Sequence, residues 1–87
     1  MKKHDLYDLE RLRHKDFTRF IETPIRIVGG KKVTSCPFHT EKTPSFFIYP
    51  RNTFYCFGCG AHGNAIDFLM KKFSYTFQNA CSILENL

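Results

Sequence analysis

At 87 residues with a formal net charge of +5, the chain has room for one small domain with a modest core. It contains no apolar run near the ~18 residues of a membrane span and nothing like a secretory leader, so a reducing, cytoplasmic setting is expected. The basic excess sits early: residues 1–35 carry nine Lys and Arg against five acids and residues 36–87 carry four against three, a balance that suits polyanionic partners such as nucleic acid but is also common on plain soluble proteins.

Residues 5–22 read as one or two short helices. Leu6, Leu9 and Leu12, then Phe17, Phe20 and Ile21, follow the three-and-four spacing of an apolar face. Asp5 is a candidate cap for the first piece and Asp16 or Thr18 for the second. Arg11, Arg13, Lys15 and Arg19 fall on the polar side, and Pro24 closes the region. His4 and His14 lie in this polar lead-in and carry no specific signal. Ile25–Val28 and Lys32–Ser35 read as strands joined at Gly29-Gly30, with Arg26, Lys31 and Lys32 around the tip of that hairpin. Phe46–Tyr49 and Thr53–Cys56 form a second hairpin through Pro50-Arg51-Asn52. Because strand side chains alternate, Phe46 and Ile48 share one face and Phe47 and Tyr49 the other. Phe54 lies on the side of Cys56, and Tyr55 points away.

Cys36-Pro37-Phe38-His39 and Cys56-Phe57-Gly58-Cys59 are two x2 knuckles with 16 residues between them. Knuckles separated by about 15–20 residues match the spacing of structural zinc sites. Three thiolates and one imidazole close a tetrahedral set and leave no open position for a catalytic water. His62 competes weakly as a ligand, since it stands outside both knuckles. Cys81 is left single, so no disulfide framework is expected. In a chain this short the metal contributes to folding itself.

Seven aromatics fall between Phe38 and Phe57. Phe38, Phe46 and Phe54 are expected in the core. Phe47, Tyr49 and Tyr55 either fill the core or form a stacking platform for single-stranded bases beside the lysines and arginines. Beyond the second knuckle, Gly58, Gly60 and Gly63 allow a tight backbone around the metal. Asn64 caps a helix over about 65–73 with Ile66, Leu69, Met70 and Phe73 on its apolar face. A second helix over about 77–87 starts from Thr76 or Ser74 and carries Phe77, Ala80, Cys81, Leu84 and Leu87. Cys81 reads as a small buried hydrophobe. The eight acids are scattered, with no strand-end pair to hold magnesium for phosphoryl transfer.

The string from Cys36 through Pro-Phe-His-Thr-Glu-Lys-Thr-Pro-Ser to Phe46 leads the match. With the run from Phe54 through Tyr-Cys-Phe-Gly-Cys-Gly-Ala-His-Gly-Asn-Ala-Ile-Asp-Phe-Leu to Met70, it resembles the N-terminal zinc-binding domain of bacterial and phage replicative DNA primases. The likeness covers about residues 16–84, and it implies a small α+β zinc ribbon: an antiparallel sheet with one structural zinc at one end, flanked by short helices. The expected layout is a single domain with a helical lead-in (1–24), the ribbon (25–60) and C-terminal helices (64–87). The resemblance assigns zinc to Cys36, His39, Cys56 and Cys59. It implies recognition of single-stranded template DNA for primer initiation, beside a separate TOPRIM-type polymerase domain and the replicative helicase. It adds Lys42, Arg51, Asn64 and Asp67 to Arg26, Lys31, Lys32, Phe47, Tyr49 and Tyr55 as candidate nucleic-acid contacts. Tyr55 departs from the family, which often has a polar or basic residue there. No polymerase site is expected in this chain. A second reading is an adaptor of a mobile element that docks on a primase, polymerase or helicase through its helices.

Overall fold

The computed structural model describes residues 8–39 and 44–87, so the Asp5 cap, Leu6 and Lys42 lie outside the described residues. Asp8 accepts the Arg11 amide at 3.3 Å and caps α1 (Leu9–Arg13). Asp16 takes the amide and hydroxyl of Thr18 at 2.8 and 2.6 Å and introduces a single 3-10 turn (Thr18–Phe20). The lead-in is thus two short pieces, and it buries Leu12, Phe17 and Ile21 as the spacing predicts.

Among the described residues five strands follow in one antiparallel sheet whose spatial order is the chain order: β1 (Arg26–Val28), β2 (Lys31–Thr34), β3 (Phe46–Ile48), β4 (Phe54–Cys56) and β5 (His62–Gly63). Gly29 and Gly30, with φ of 58° and 79°, make the two-residue turn between β1 and β2. Asn52, at φ 61°, turns β3 into β4 as its amide reaches the Tyr49 carbonyl at 2.8 Å. The fifth strand falls where turn glycines alone were expected. After the knuckle the Cys56 amide bonds the Ala61 carbonyl at 2.8 Å, which returns the chain alongside β4 and pairs Tyr55 with His62.

Register divides the sheet cleanly. Thr34, Phe46 and Cys56 lie across from one another, as do Lys32, Ile48, Phe54 and Gly63, and these rows face the helices. Over this inner face lies α2 (Ala65–Phe73), and α3 (Phe77–Glu85) packs on α2 and α1. Phe68 stacks on Phe17 with ring centroids 4.5 Å apart and meets Phe54 edge-on at 5.9 Å. Phe46 stacks on Phe54 at 5.1 Å, and the half-buried Phe38 touches Phe46, Phe54 and Phe68.

The helix starts match the expected caps. Asn64 accepts the Ile66 and Asp67 amides while Asp67 accepts the Asn64 amide at 2.9 Å, a reciprocal capping box. Thr76 accepts the Asn79 amide at 3.1 Å and caps α3. The apolar face of α2 is rotated from the expected one: Ala65, Ile66, Phe68 and Leu69 are buried, Met70 is partly covered, and Phe73 is exposed. The aromatic centre of the core draws Phe68 inward, a tertiary preference that spacing alone does not weigh. Along α3, which stops at Glu85 short of the expected end, Ala80, Cys81 and Leu84 are buried, whereas Phe77 at its start and Leu87 beyond its end are exposed. Cys81 is fully buried, and burial raises its thiol pKa above the ordinary value.

Candidate metal centre and nucleic-acid face

Cys36 leaves β2 and His39 follows it in the first knuckle; Cys56 ends β4 and Cys59 lies in the turn after it. The β2–β3–β4 pairing places the two knuckles side by side. One ligand atom from each of Cys36, His39, Cys56 and Cys59 lies within 4.8 Å of all the others. The Cys36 and Cys59 sulfurs are 3.9 Å apart. Tetrahedral zinc with Zn–S bonds of about 2.3 Å places two sulfurs roughly 3.8 Å apart, so the donor set fits that ion in type and spacing. No disulfide joins any of the four cysteines. His62 is outside the cluster, with its Nδ1 3.1 Å from the Gly60 carbonyl.

The sulfurs are conditioned by their surroundings. Burial, with the neighbouring thiols of Cys56 and Cys59, pushes the Cys36 thiol up to about 12. Cys56 meets the same desolvation, yet its pKa is lowered because the Ser45 hydroxyl and the Cys59 and Gly58 amides stabilise its thiolate. Packing three thiols this closely favours a cation among them, and metal binding then proceeds with proton release.

The CHC2 zinc finger profile matches residues 8–87. The chain belongs to the CHC2 zinc finger family. It is 46% identical over 80 residues to the DNA primase of Chlamydia pneumoniae, covering 87% of this chain and 14% of that protein. To the Salmonella typhimurium DNA primase it is 75% identical over 62 residues, 68% of this chain and 11% of the relative. The crystal structure of the Aquifex aeolicus primase zinc-binding and RNA polymerase domains superposes with a TM-score of 0.75 at 32% identity, over 92% of this chain and 21% of that one. The fold is that of a primase zinc-binding domain, and its cofactor is a single zinc ion.

The face of the sheet turned away from the helices holds a second arrangement. Arg26, Val33, Phe47, Tyr55 and His62 are successive cross-strand partners, one from each strand. Their side chains therefore form one row across the sheet. Lys31 and Tyr49 lie beside that row, the ammonium 5.7 Å from the ring centroid. Of the sequence-expected contacts, the fold brings together Arg26, Lys31, Phe47, Tyr49 and Tyr55.

The others lie elsewhere. Lys32 shares the inner side with Ile48, near enough to Asp16 to help lower its pKa. Arg51, on the β3–β4 turn, is directed to α1, 3.1 Å from His14 Nε2 and 3.7 Å from Glu10. Asn64 and Asp67 are occupied in the α2 cap, and a Cβ added at Gly63 would lie 2.5 Å from Asp67. Sequence reasoning passed over Phe57, which is 66% exposed and contacts both Phe47 and Tyr55. Its position carried no clear signal: Phe38 likewise stands between two ligands of a knuckle, yet packs on Phe46, Phe54 and Phe68.

Proposed function

We propose that this chain is the template-recognition module of a DNA primase, binding single-stranded DNA on the outer face of its sheet during primer initiation. The observation that carries the reading is the cross-strand row, which joins cations at the β1–β2 edge to aromatic rings over β3 and β4. Arg26 and Lys31 attract phosphates, and the rings of Phe47, Tyr49 and Tyr55 present π-faces to bases whatever their identity. Zinc held by Cys36, His39, Cys56 and Cys59 keeps the knuckles rigid at the end of β4. Primer synthesis belongs to a TOPRIM-type polymerase domain, with the replicative helicase as a further partner and the cytoplasm as the setting.

Fluorescence anisotropy with a labelled 15-mer of thymidine tests this reading. Binding is expected to weaken steeply between about 50 and 200 mM salt, as counterion release requires. Affinity that ignores salt would remove the phosphate contacts from the account.

The adaptor reading draws on a different surface. Phe20 and Phe73 meet edge-on at 5.9 Å, and Phe73 stacks on Tyr75 at 5.2 Å, an aromatic group remote from the sheet row. If Phe73→Ala abolishes capture of a primase polymerase domain while wild-type protein has no DNA affinity, that reading replaces the first.

A further inference from the structure

Phe57 is the most exposed phenylalanine or tyrosine among the described residues, at 66%. Covering such a ring stabilises a fold, yet Phe57 is absent from the core cluster and its backbone is pinned. Its amide donates to the Ser45 carbonyl at 2.9 Å, and the knuckle around it is closed by the Gly60 amide on the Cys56 carbonyl at 2.7 Å. The ring meets Phe47 edge-on, with centroids 5.2 Å apart and planes at 86°. It leans on Tyr55 at 4.8 Å and 56°. Beyond Tyr55, the His62 ring lies nearly parallel to it at 6.0 Å and 21°. Phe57, Tyr55 and His62 make a corner at the end of the outer row, with Phe57 on the turn between the ligand positions Cys56 and Cys59. Beside His62 an open cavity of about 480 Å³ is also lined by Lys71 and by the ligand residues His39 and Cys59, with the Lys71 ammonium 5.6 Å from the Phe38 ring.

We propose that Phe57, Tyr55 and His62 form a stacking subsite for one unpaired nucleobase, with Phe57 as its principal platform. The subsite rests on the single-strand reading above and names where one base goes. A nucleobase fits this corner better than an aliphatic protein side chain. Its π-face matches the open face of Phe57, its polar edge meets the imidazole, and its phosphates continue toward the cationic end of the same row.

The zinc-loaded chain is titrated into two labelled 15-mers with equal phosphate counts, one of thymidine and one of abasic sugars. Wild-type protein is expected to prefer the thymidine oligomer by about tenfold or more. Phe57→Ala should remove about that factor, equivalent to ~1.4 kcal/mol and within the range for one stacked base. It should leave abasic binding and the thermal midpoint unchanged. Lys31→Ala should weaken both oligomers alike. Because the chain has no tryptophan, Phe57→Trp adds a direct reporter whose fluorescence the thymidine oligomer should quench and the abasic one should not. Equal wild-type affinity for the two oligomers overturns the subsite, as does thymidine binding without quenching or without loss in Phe57→Ala. Binding of neither oligomer overturns the single-strand reading itself.

Discussion

The two faces of this sheet are built from the same strands, alternate residue by alternate residue, yet serve different ends. The inner face puts Phe46, Ile48, Phe54 and Cys56 against Phe17 and Phe68, all at 2% exposure or less. On the outer face only Val33 is buried, while Phe47 and Tyr49 are half covered and Tyr55 and Phe57 stand in water. Aromatic content therefore does not distinguish core from surface in this domain; register does. Cys56 ends the inner row and Phe57 follows it onto the outer side, so the metal knuckle is the hinge between the two faces.

Removing a metal ligand should break the comparison most severely, since both faces depend on the knuckles. Structural zinc in small modules contributes roughly 10–16 kcal/mol of apparent binding free energy. Cys59→Ser is expected to lose zinc and cooperative unfolding together, checked by metal analysis and circular dichroism. Full metal content with an unchanged midpoint would remove Cys59 from the ligand set. Acid should act likewise: thiolates and imidazole bind zinc only when deprotonated, so zinc release is expected as pH falls.

The next largest effect separates the faces directly. Phe54→Ala on the inner side should cost about 3–5 kcal/mol of stability, whereas Phe57→Ala on the outer side should stay within about 0.5 kcal/mol. Denaturant titration of the zinc-loaded proteins measures both. Similar losses in the two variants would mean that the faces are not divided as described.

Smaller still is the outer-face cation. Lys31→Ala should leave the midpoint unchanged and lower the slope of log affinity against log salt by about 1. Lys32→Ala, one residue along and on the opposite side, should leave that slope alone. The smallest effect belongs to Asp16. The Thr18 hydroxyl first, and then its amide, hold the Asp16 carboxyl below its ordinary 3.8. A depressed carboxylate adds stability that is fully present above the unfolded value and is lost as pH falls through the folded one. Asp16→Asn should therefore cost under about 1 kcal/mol near neutrality and nothing in strong acid, as the group is largely solvated.

Much of this division was legible in the sequence. The knuckle spacing named all four ligands that converge, because short turns hold paired donors whatever surrounds them. Alternation put Phe46 and Ile48 on one face and Tyr55 on the side away from Phe54 and Cys56, though it left Tyr55 open between core and surface, and the caps at Asn64 and Thr76 marked both C-terminal helices. Properties that depend on distant partners were hidden. β5 is two residues long, with no apolar pattern of its own, and exists only by pairing with β4. Phe68 becomes central because Phe17 and Phe54 meet it, which helical spacing does not encode. Adjacent lysines look equivalent in a sequence, yet strand alternation sends Lys31 beside Tyr49 and Lys32 to the other side.

On the function proposed above, the outer face meets DNA while the inner face and the metal hold it in place. Amide chemical shifts of the zinc-loaded, nitrogen-15-labelled chain, titrated with the thymidine 15-mer, test it most directly. Perturbations are expected to concentrate at Arg26, Lys31, Phe47, Tyr55, Phe57 and His62, with α3 silent. Perturbations centred on α3 and the Phe73–Tyr75 surface, with the outer row unmoved, would contradict it.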